Sequence, residues 1–194
     1  NAPGANVAIR GFTIKAVTPG SGVGITVTDV GTLLLENMVI DGWSDGMNVA
    51  SASKVSVSDS IFRNNTGQAG LSVTAAANVS VVKSTFENNL RGIRLDAATA
   101  VISVSRSSLT GNTNGVSLLA AGVLAFDRCL IANNSNVGIF ANTAGAIVRL
   151  SGSSVTGNPT GVNVGAGVVE SFGTSGIRGN TTNISGALTA VALQ

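Results

Sequence analysis

The chain repeats a short pattern with a period of about 23 residues, and this period limits the folds open to it. Subtracting the positions of the Gly residues that begin successive copies gives steps of 22, 24, 22, 23, 23 and 23 residues. The copies are GITV at Gly24, GMNV at Gly46, GLSV at Gly70, GIRL at Gly92, GVSL at Gly115, GIFA at Gly138 and GVNV at Gly161. Apolar residues alternate with mostly polar ones, which predicts a β-strand with one buried face. Gly, Asn, Ser and Val disfavour helix, so the pattern excludes helical repeats.

Two polar positions recur beside a second apolar segment in each period. Three residues after the last apolar residue of that segment, six successive periods carry Asn: Asn65, Asn89, Asn112, Asn134, Asn158 and Asn180. Asn accepts left-handed turns, and stacked amides can bond to one another. Two residues before the same apolar residue, a second column holds mainly Ser: Ser60, Ser84, Ser107, Cys129, Ser153 and Ser175. We expect these hydroxyls to bond to one another, and we interpret Cys129 as a small packed residue rather than a nucleophile.

Short strand repeats that end in Asn turns are typical of a parallel β-solenoid. Parallel crossover connections favour a right-handed coil. The sequence therefore predicts an all-β fold, a single-stranded right-handed parallel β-helix of roughly eight coils with about 23 residues each. We expect residues 1–194 to form one such domain, in which each coil depends on its neighbours for burial.

The Asn column, the Gly-led strands and the period resemble right-handed parallel β-helix proteins of the pectin-lyase-like superfamily. Within it, the chain is most similar to exported bacterial β-helix repeat proteins of unassigned function. The first residues, NAPGANVAIRGFTI, resemble an internal coil of that group. The resemblance implies a secreted or cell-surface protein and an N-terminal cap that is not visible in this chain. We therefore expect an open coil at Asn1, which would favour self-association.

Composition removes several classes of site. The sequence has no His and one Cys, which excludes His-based catalysis, His-ligated metals and intrachain disulfides. The net charge of +2 rests on few groups, so we expect no nucleic-acid partner. No apolar run reaches the roughly 18 residues of a membrane helix, so we expect no membrane span. We also expect no cofactor, unless calcium serves the lyase activity considered next.

The densest group of carboxylates surrounds the single Trp. Asp41 and Asp45 flank Trp43 in the segment IDGWSDGM. An exposed Trp43 would stack on a sugar ring while Asp41 and Asp45 bind calcium. The resemblance implies a lyase mechanism, in which a cation neutralises a sugar carboxylate and an Arg or Lys removes the adjacent proton. The candidate catalytic residues are then Asp41, Asp45 and Arg63.

The same residues also have a purely structural interpretation. Equivalent positions in four successive periods hold charges of alternating sign: Lys15, Asp41, Arg63 and Glu87. In-register neighbours lie about 4.8 Å apart and can form ion pairs, so we expect each carboxylate to be paired with the coil above or below. In this interpretation Trp43 closes a wider turn, which Asp41 and Asp45 cap.

Three stacked cations are the best candidate for binding an anion. Lys83, Arg106 and Arg128 share one register, and Asp59 precedes them in the same column. Such a column suits an anionic polysaccharide, for example a uronate polymer. Together with Trp43, these three residues form the predicted carbohydrate-binding set.

We predict a non-catalytic extracellular structural or recognition module that binds anionic carbohydrate. The alternative is a polysaccharide lyase acting on uronate-containing polymers. The carboxylates discriminate between the two hypotheses, because a lyase site needs several of them to converge with an Arg or Lys.

Overall fold

The computed structural model describes residues 2–191, and Asn1, where we expected an open coil to begin, lies outside them. The described chain is all β and winds as a right-handed parallel solenoid of about 8 turns of about 23 residues. The predicted fold class is therefore confirmed. Within residues 2–191 no helix is long and apolar enough to cross a membrane.

Each turn of the solenoid adds one strand to each of three parallel sheets, here named A, B and C in chain order. Sheet A contains β1 (Ala2–Arg10), β4 (Val30–Glu36), β7 (Lys54–Ser58), β10 (Asn78–Val82), β13 (Val101–Ser105), β16 (Val123–Asp127), β19 (Ile147–Ser151), β22 (Val168–Ser171) and β25 (Thr189–Ala190). Sheet B contains β2 (Thr13–Lys15), β5 (Val39–Asp41), β8 (Ile61–Arg63), β11 (Thr85–Glu87), β14 (Ser108–Thr110), β17 (Leu130–Ala132), β20 (Ser154–Thr156) and β23 (Gly176–Ile177). Sheet C contains β3 (Ser21–Val27), β6 (Trp43–Val49), β9 (Leu71–Val73), β12 (Arg91–Leu95), β15 (Asn114–Leu118), β18 (Val137–Ala141), β21 (Thr160–Val164) and β24 (Thr182–Ser185). The Gly-led motif forms sheet C, whereas the second apolar segment is divided between sheets A and B.

The sheets stack in the register that the repeat predicts. In sheet C, Met47 pairs with Leu71, which in turn pairs with Ile93. All three side chains are buried in the single apolar core between the sheets. Phe62 and Phe86 lie one coil apart in that core, with ring centroids 4.9 Å apart and the rings stacked. Equivalent positions therefore form continuous columns along the axis.

The Asn column lies in the turns between sheets B and C and is a continuous hydrogen-bonded ladder. The Oδ1 of Asn112 accepts bonds from both the backbone N–H and the Nδ2 of Asn89, at 2.9 and 3.0 Å. The Nδ2 of Asn112 donates to the Oδ1 of Asn134 in the following coil and to the carbonyl of Phe86 in the preceding one. The ladder Asn residues from 65 to 158 are all at most 3% exposed. Each amide thus satisfies the buried polar groups of a turn.

The Ser column lies in the turns between sheets A and B, but its hydroxyls do not bond to one another as expected. The hydroxyl of Ser84 accepts the backbone N–H of Ser60 and donates to the carbonyl of Val82 in its own coil. Ser107 repeats this arrangement with Ser84 and Ser105. Backbone groups thus replace the expected partners. No hydroxyl depends on the side chain above or below it, so the column tolerates a change of residue.

Cys129 shows this tolerance. Its Sγ donates to the carbonyls of Val104 and Asp127, both at 3.4 Å. Burial raises the pKa of its thiol above the ordinary value. A buried thiol with a raised pKa is a poor nucleophile, which agrees with its interpretation as a packed residue.

The recurrent Gly residues of sheet C are required by space rather than by a positive φ. A Cβ placed on Gly115 would lie 2.5 Å from the carbonyl oxygen of Gly138 and 3.0 Å from the Nδ2 of Asn134. A Cβ on Gly138 would meet Gly161 and Asn158 in the same way. The Gly column therefore lets the backbone of each coil approach the Asn ladder of the next.

Replacing Asn112 by Leu should lower the free energy of unfolding by about 2–5 kcal/mol, because buried bonds in three coils are lost together. Asn114→Leu is the matched control, since Asn114 is only half-buried and its amide oxygen accepts a single side-chain bond, from Asn136. We expect this control to change stability by less than about 1 kcal/mol. Chemical denaturation followed by circular dichroism measures both values, and equal losses would contradict the role assigned to the ladder.

Candidate anion-binding groove

Lys83, Arg106 and Arg128, which we call the cation row, occupy the turn position between sheets A and B. Their φ angles are 49°, 50° and 52°, in the left-handed region. Other coils place Gly, Asn or Asp here, such as Asp59 with φ 47° and Gly152 with φ 54°. A left-handed conformation costs other residues roughly 1–2 kcal/mol each. Three cations thus occupy a position that favours Gly or Asn, and this unusual choice of residue suggests a function.

The cation row borders an open groove of about 420 Å³. The buried Ser84, Ser107 and Cys129 form its floor. The opposite side presents three hydroxyl side chains and one exposed apolar side chain: Thr85, Ser108, Ser154 and Leu130. The groove thus combines positive charge, hydroxyl groups and one apolar contact, which are the groups that bind a charged sugar.

The positive charge of the cation row is largely uncompensated. Among residues 2–191, neither Lys83 nor Arg106 has a carboxylate oxygen within 4.0 Å. The Nε of Arg128 lies 3.6 Å from the Oδ2 of Asp127, but both side chains are well exposed. Such a surface pair contributes little, so all three cations remain able to bind an external anion.

Asp41 and Arg63, two of the predicted catalytic residues, lie together at the ends of β5 and β8. The Nη2 of Arg63 lies 3.2 Å from the Oδ2 of Asp41, and the Nδ2 of Asn64 donates to the Oδ1 at 2.8 Å. Burial raises the pKa of Asp41, but the bonds from Asn64 and Arg63 and the charges of Arg63 and Lys15 outweigh it, so the pKa lies below its ordinary value. Asp41 is therefore a stably ionised partner of Arg63.

The expected charge ladder is only partly formed. Lys15, Asp41, Arg63 and Glu87 are in register in sheet B, as predicted. Within the described part of the chain, however, the only one of the expected pairs within 4.0 Å is Asp41–Arg63. Arg63 bonds to the coil before it, and Glu87 forms no ion pair with any of residues 2–191.

Trp43 closes the turn between sheets B and C at the start of the Asn ladder. Its backbone N–H donates to the Oδ1 of Asn65, and its indole Nε1 donates to the carbonyl of Ile14 at 3.1 Å. The ring is half-buried and packs against the core. The structure therefore places Trp43 in a different turn from the cation row, although the two were predicted as one carbohydrate-binding set.

Asp45 lies on sheet C and has different partners from Asp41. Its Oδ1 accepts the hydroxyl of Ser72 at 2.9 Å. Burial raises its pKa to about 6, although the Ser72 bond and the charge of Arg94 lower it. Asp41 and Asp45 thus share no hydrogen-bond partner, and residues 2–191 contain no group of three or more Asp, Glu, His or Cys suited to a metal ion. The calcium site and the lyase alternative stay predictions.

Sequence reasoning did not identify the far side of the groove or the network around Asp45. Thr85, Ser108 and Leu130 each follow the Ser column by one residue, so a register signal for the groove wall was present. No such signal existed for Gln68, whose amide oxygen accepts the Nη1 of Arg94 at 2.7 Å. Gln68 lies in the turn between the ladder residue Asn65 and Gly70. This turn is two residues longer than the equivalent turn of the next coil, between Asn89 and Gly92.

We expect Asp45→Asn to stabilise the fold at pH 8 by on the order of 1–2 kcal/mol and to have little effect at pH 4. The folded-state pKa of about 6 exceeds the ordinary 3.8, so the folded protein loses stability as pH rises between these values, and Asn removes that loss. Asp41→Asn is the control with the opposite sign, because its lowered pKa stabilises the fold above pH 4. Thermal unfolding at both pH values tests the pair, and equal effects of the two substitutions would contradict the assigned environments.

Comparison with known proteins supports the fold independently. The family model of the right-handed beta helix region matches residues 2–182. Searches of curated proteins and of solved structures found no significant match. The pectin-lyase-like resemblance inferred from the repeat is consistent with the family match. Since the match spans nearly the whole chain, the protein belongs to the family of right-handed beta helix proteins.

Proposed function

We propose that this protein is a non-catalytic recognition module that binds anionic carbohydrate outside the cell through the cation row. The observation that carries the proposal is the occupation of three successive left-handed positions by Lys83, Arg106 and Arg128. Gly or Asn would adopt this left-handed backbone at lower cost, so the backbone of the turn does not require a cation. A ligand that requires the charges explains their presence.

The chemistry of the groove supports a sugar acid as the ligand. Arg guanidinium groups bind carboxylates through paired hydrogen bonds, and Lys adds a mobile positive charge. The hydroxyls of Thr85, Ser108 and Ser154 are able to exchange hydrogen bonds with sugar hydroxyls. Leu130 is 42% exposed and offers an apolar contact for the face of a pyranose ring.

The proposal predicts that binding and stability respond in opposite directions to one set of substitutions. The triple variant Lys83→Asn, Arg106→Asn, Arg128→Asn should lose at least about tenfold in affinity for polygalacturonate, since each lost charge contact contributes roughly 1 kcal/mol or more. Its thermal stability should be unchanged or higher, because Asn tolerates the left-handed position better.

The matched control is Arg149→Asn, which removes an exposed Arg of sheet A that pairs with Glu170 at 2.7 Å. Calorimetric titration at low ionic strength measures the affinities, and undiminished binding by the triple variant would disprove the site. Absorbance of unsaturated uronates is followed in the same samples. Its appearance would show lyase activity and overturn the non-catalytic part of the proposal.

A further inference from the structure

We infer that two copies of this protein pair through the outer face of sheet A, around a two-fold axis that runs parallel to the strands. The contact centres on the residues that begin four successive strands of this sheet, Val101, Val123, Ile147 and Val168, which we call the aliphatic stripe. This inference is independent of the cation row and of the ligand proposed for it. Its basis is the stripe itself, a depression beside it and the charges at the positions that would face each other.

The aliphatic stripe is a continuous apolar surface. Its four members follow one another in register along sheet A. The two end members, Val101 and Val168, are 39% and 38% exposed, and the two between them are half-buried. The two preceding coils place Lys54 and Asn78 in the same column, so the sheet forms without aliphatic side chains at this position. A contiguous apolar patch at such a position suits a protein interface.

A depression of about 410 Å³ lies beside the stripe on the same face of sheet A. The small side chain of Ala125 lines it, and the adjacent strands place Ser103 and Arg149 at the same register position. Asp127, two residues further along β16, lines the depression as well and is well exposed. The depression thus combines a small residue with an accessible carboxylate, so it suits the entry of a long cationic side chain.

A two-fold axis parallel to the strands reverses the order of the coils in the partner and keeps each column of residues opposite its own copy. We place this axis midway between β16 and β19, at the centre of the stripe. Val123 then lies opposite the partner's Ile147, and Ala125 lies opposite the partner's Arg149. The guanidinium of that Arg149 enters the depression beside Asp127, and the symmetry forms this ion pair twice.

The charges on this face favour that axis over one parallel to the solenoid. An axis parallel to the solenoid would set each strand opposite its own copy, so Arg149 would meet the partner's Arg149, and such like-charge contacts are unfavourable. Within one copy, Arg149 pairs with Glu170 and Asp127 lies near Arg128, both at the protein surface. Surface pairs contribute little, so Arg149 and Asp127 remain able to form an intermolecular contact.

The size of the stripe sets the expected strength of the dimer. Four strands at about 4.8 Å each give it a length of about 19 Å. Such an interface is smaller than those of stable complexes, which bury about 1,200–2,000 Å² in total. We therefore expect a reversible dimer that is populated at micromolar concentrations and dissociates on dilution.

Complementary charge variants test the inference. In a dimer of Arg149→Asp, two carboxylates face each other at both ion-pair positions, and in a dimer of Asp127→Arg, two guanidinium groups do so. Each variant alone should therefore dimerise at least about tenfold more weakly than the unchanged protein. An equimolar mixture restores opposite charges at both positions and should recover the affinity. Sedimentation equilibrium over a series from micromolar to millimolar protein measures the dissociation constants.

Val123→Lys tests the aliphatic stripe and should weaken the dimer at least about tenfold, because association would bury an unpaired ammonium group. Val17→Lys is the matched control, since Val17 is 98% exposed and lies outside sheet A. Circular dichroism shows whether each variant folds, and the charge variants provide the test if Val123→Lys does not.

Three results would overturn the inference. The first is a protein that stays monomeric at millimolar concentration. The second is a dimer that Val123→Lys and both charge variants leave intact, including one that Val17→Lys alone disrupts. The third is a dimer that both charge variants weaken but their mixture does not restore, which would contradict the proposed axis.

Discussion

The structure depends on the side-chain amides that connect each coil to the next. In a parallel solenoid, the strands satisfy most backbone groups, but the tight turns between sheets leave polar groups that face the interior. The buried Asn ladder satisfies them: the amide of Asn112 alone bonds to groups of both the preceding and the following coil. A slip of one residue would leave these groups unpaired in an apolar surrounding, at a cost of about 1–3 kcal/mol for each group. The ladder therefore fixes the register on which every surface column depends.

The columns were predictable from the sequence because residues about 23 positions apart lie next to each other in adjacent coils. This reasoning located the Asn ladder and the alignment of Lys83, Arg106 and Arg128. It did not identify the partners of side chains that turn toward their own backbone. The Ser column is the example, since the hydroxyls of Ser84 and Ser107 donate to backbone carbonyls rather than to each other. Periodicity predicts which residues stack, but not which rotamer they adopt.

Asp41 and Asp45 show a second limit of sequence reasoning. Four residues apart in the chain, they lie on either side of the turn at Trp43 and acquire opposite shifts of pKa. Asp41 ends a strand of sheet B, where Arg63 and Asn64 supply donors, whereas Asp45 is buried on sheet C with one hydroxyl donor. Proximity in sequence suggested a shared site for the pair. The turn separates their hydrogen-bond environments, and only the three-dimensional path of the chain determines this.

At the left-handed turn position between sheets A and B, which we call the corner, the side chain can change without a change in the fold. Its backbone is held by the strands and hydroxyls on either side, so Gly, Asn, Asp, Lys and Arg all occupy the corner without altering its path. Single substitutions can therefore change the order of charges along this edge without changing the fold. Substitutions along this edge, whether natural or engineered, therefore change which polymers it can bind, because polymers differ in the spacing and sign of their charged groups.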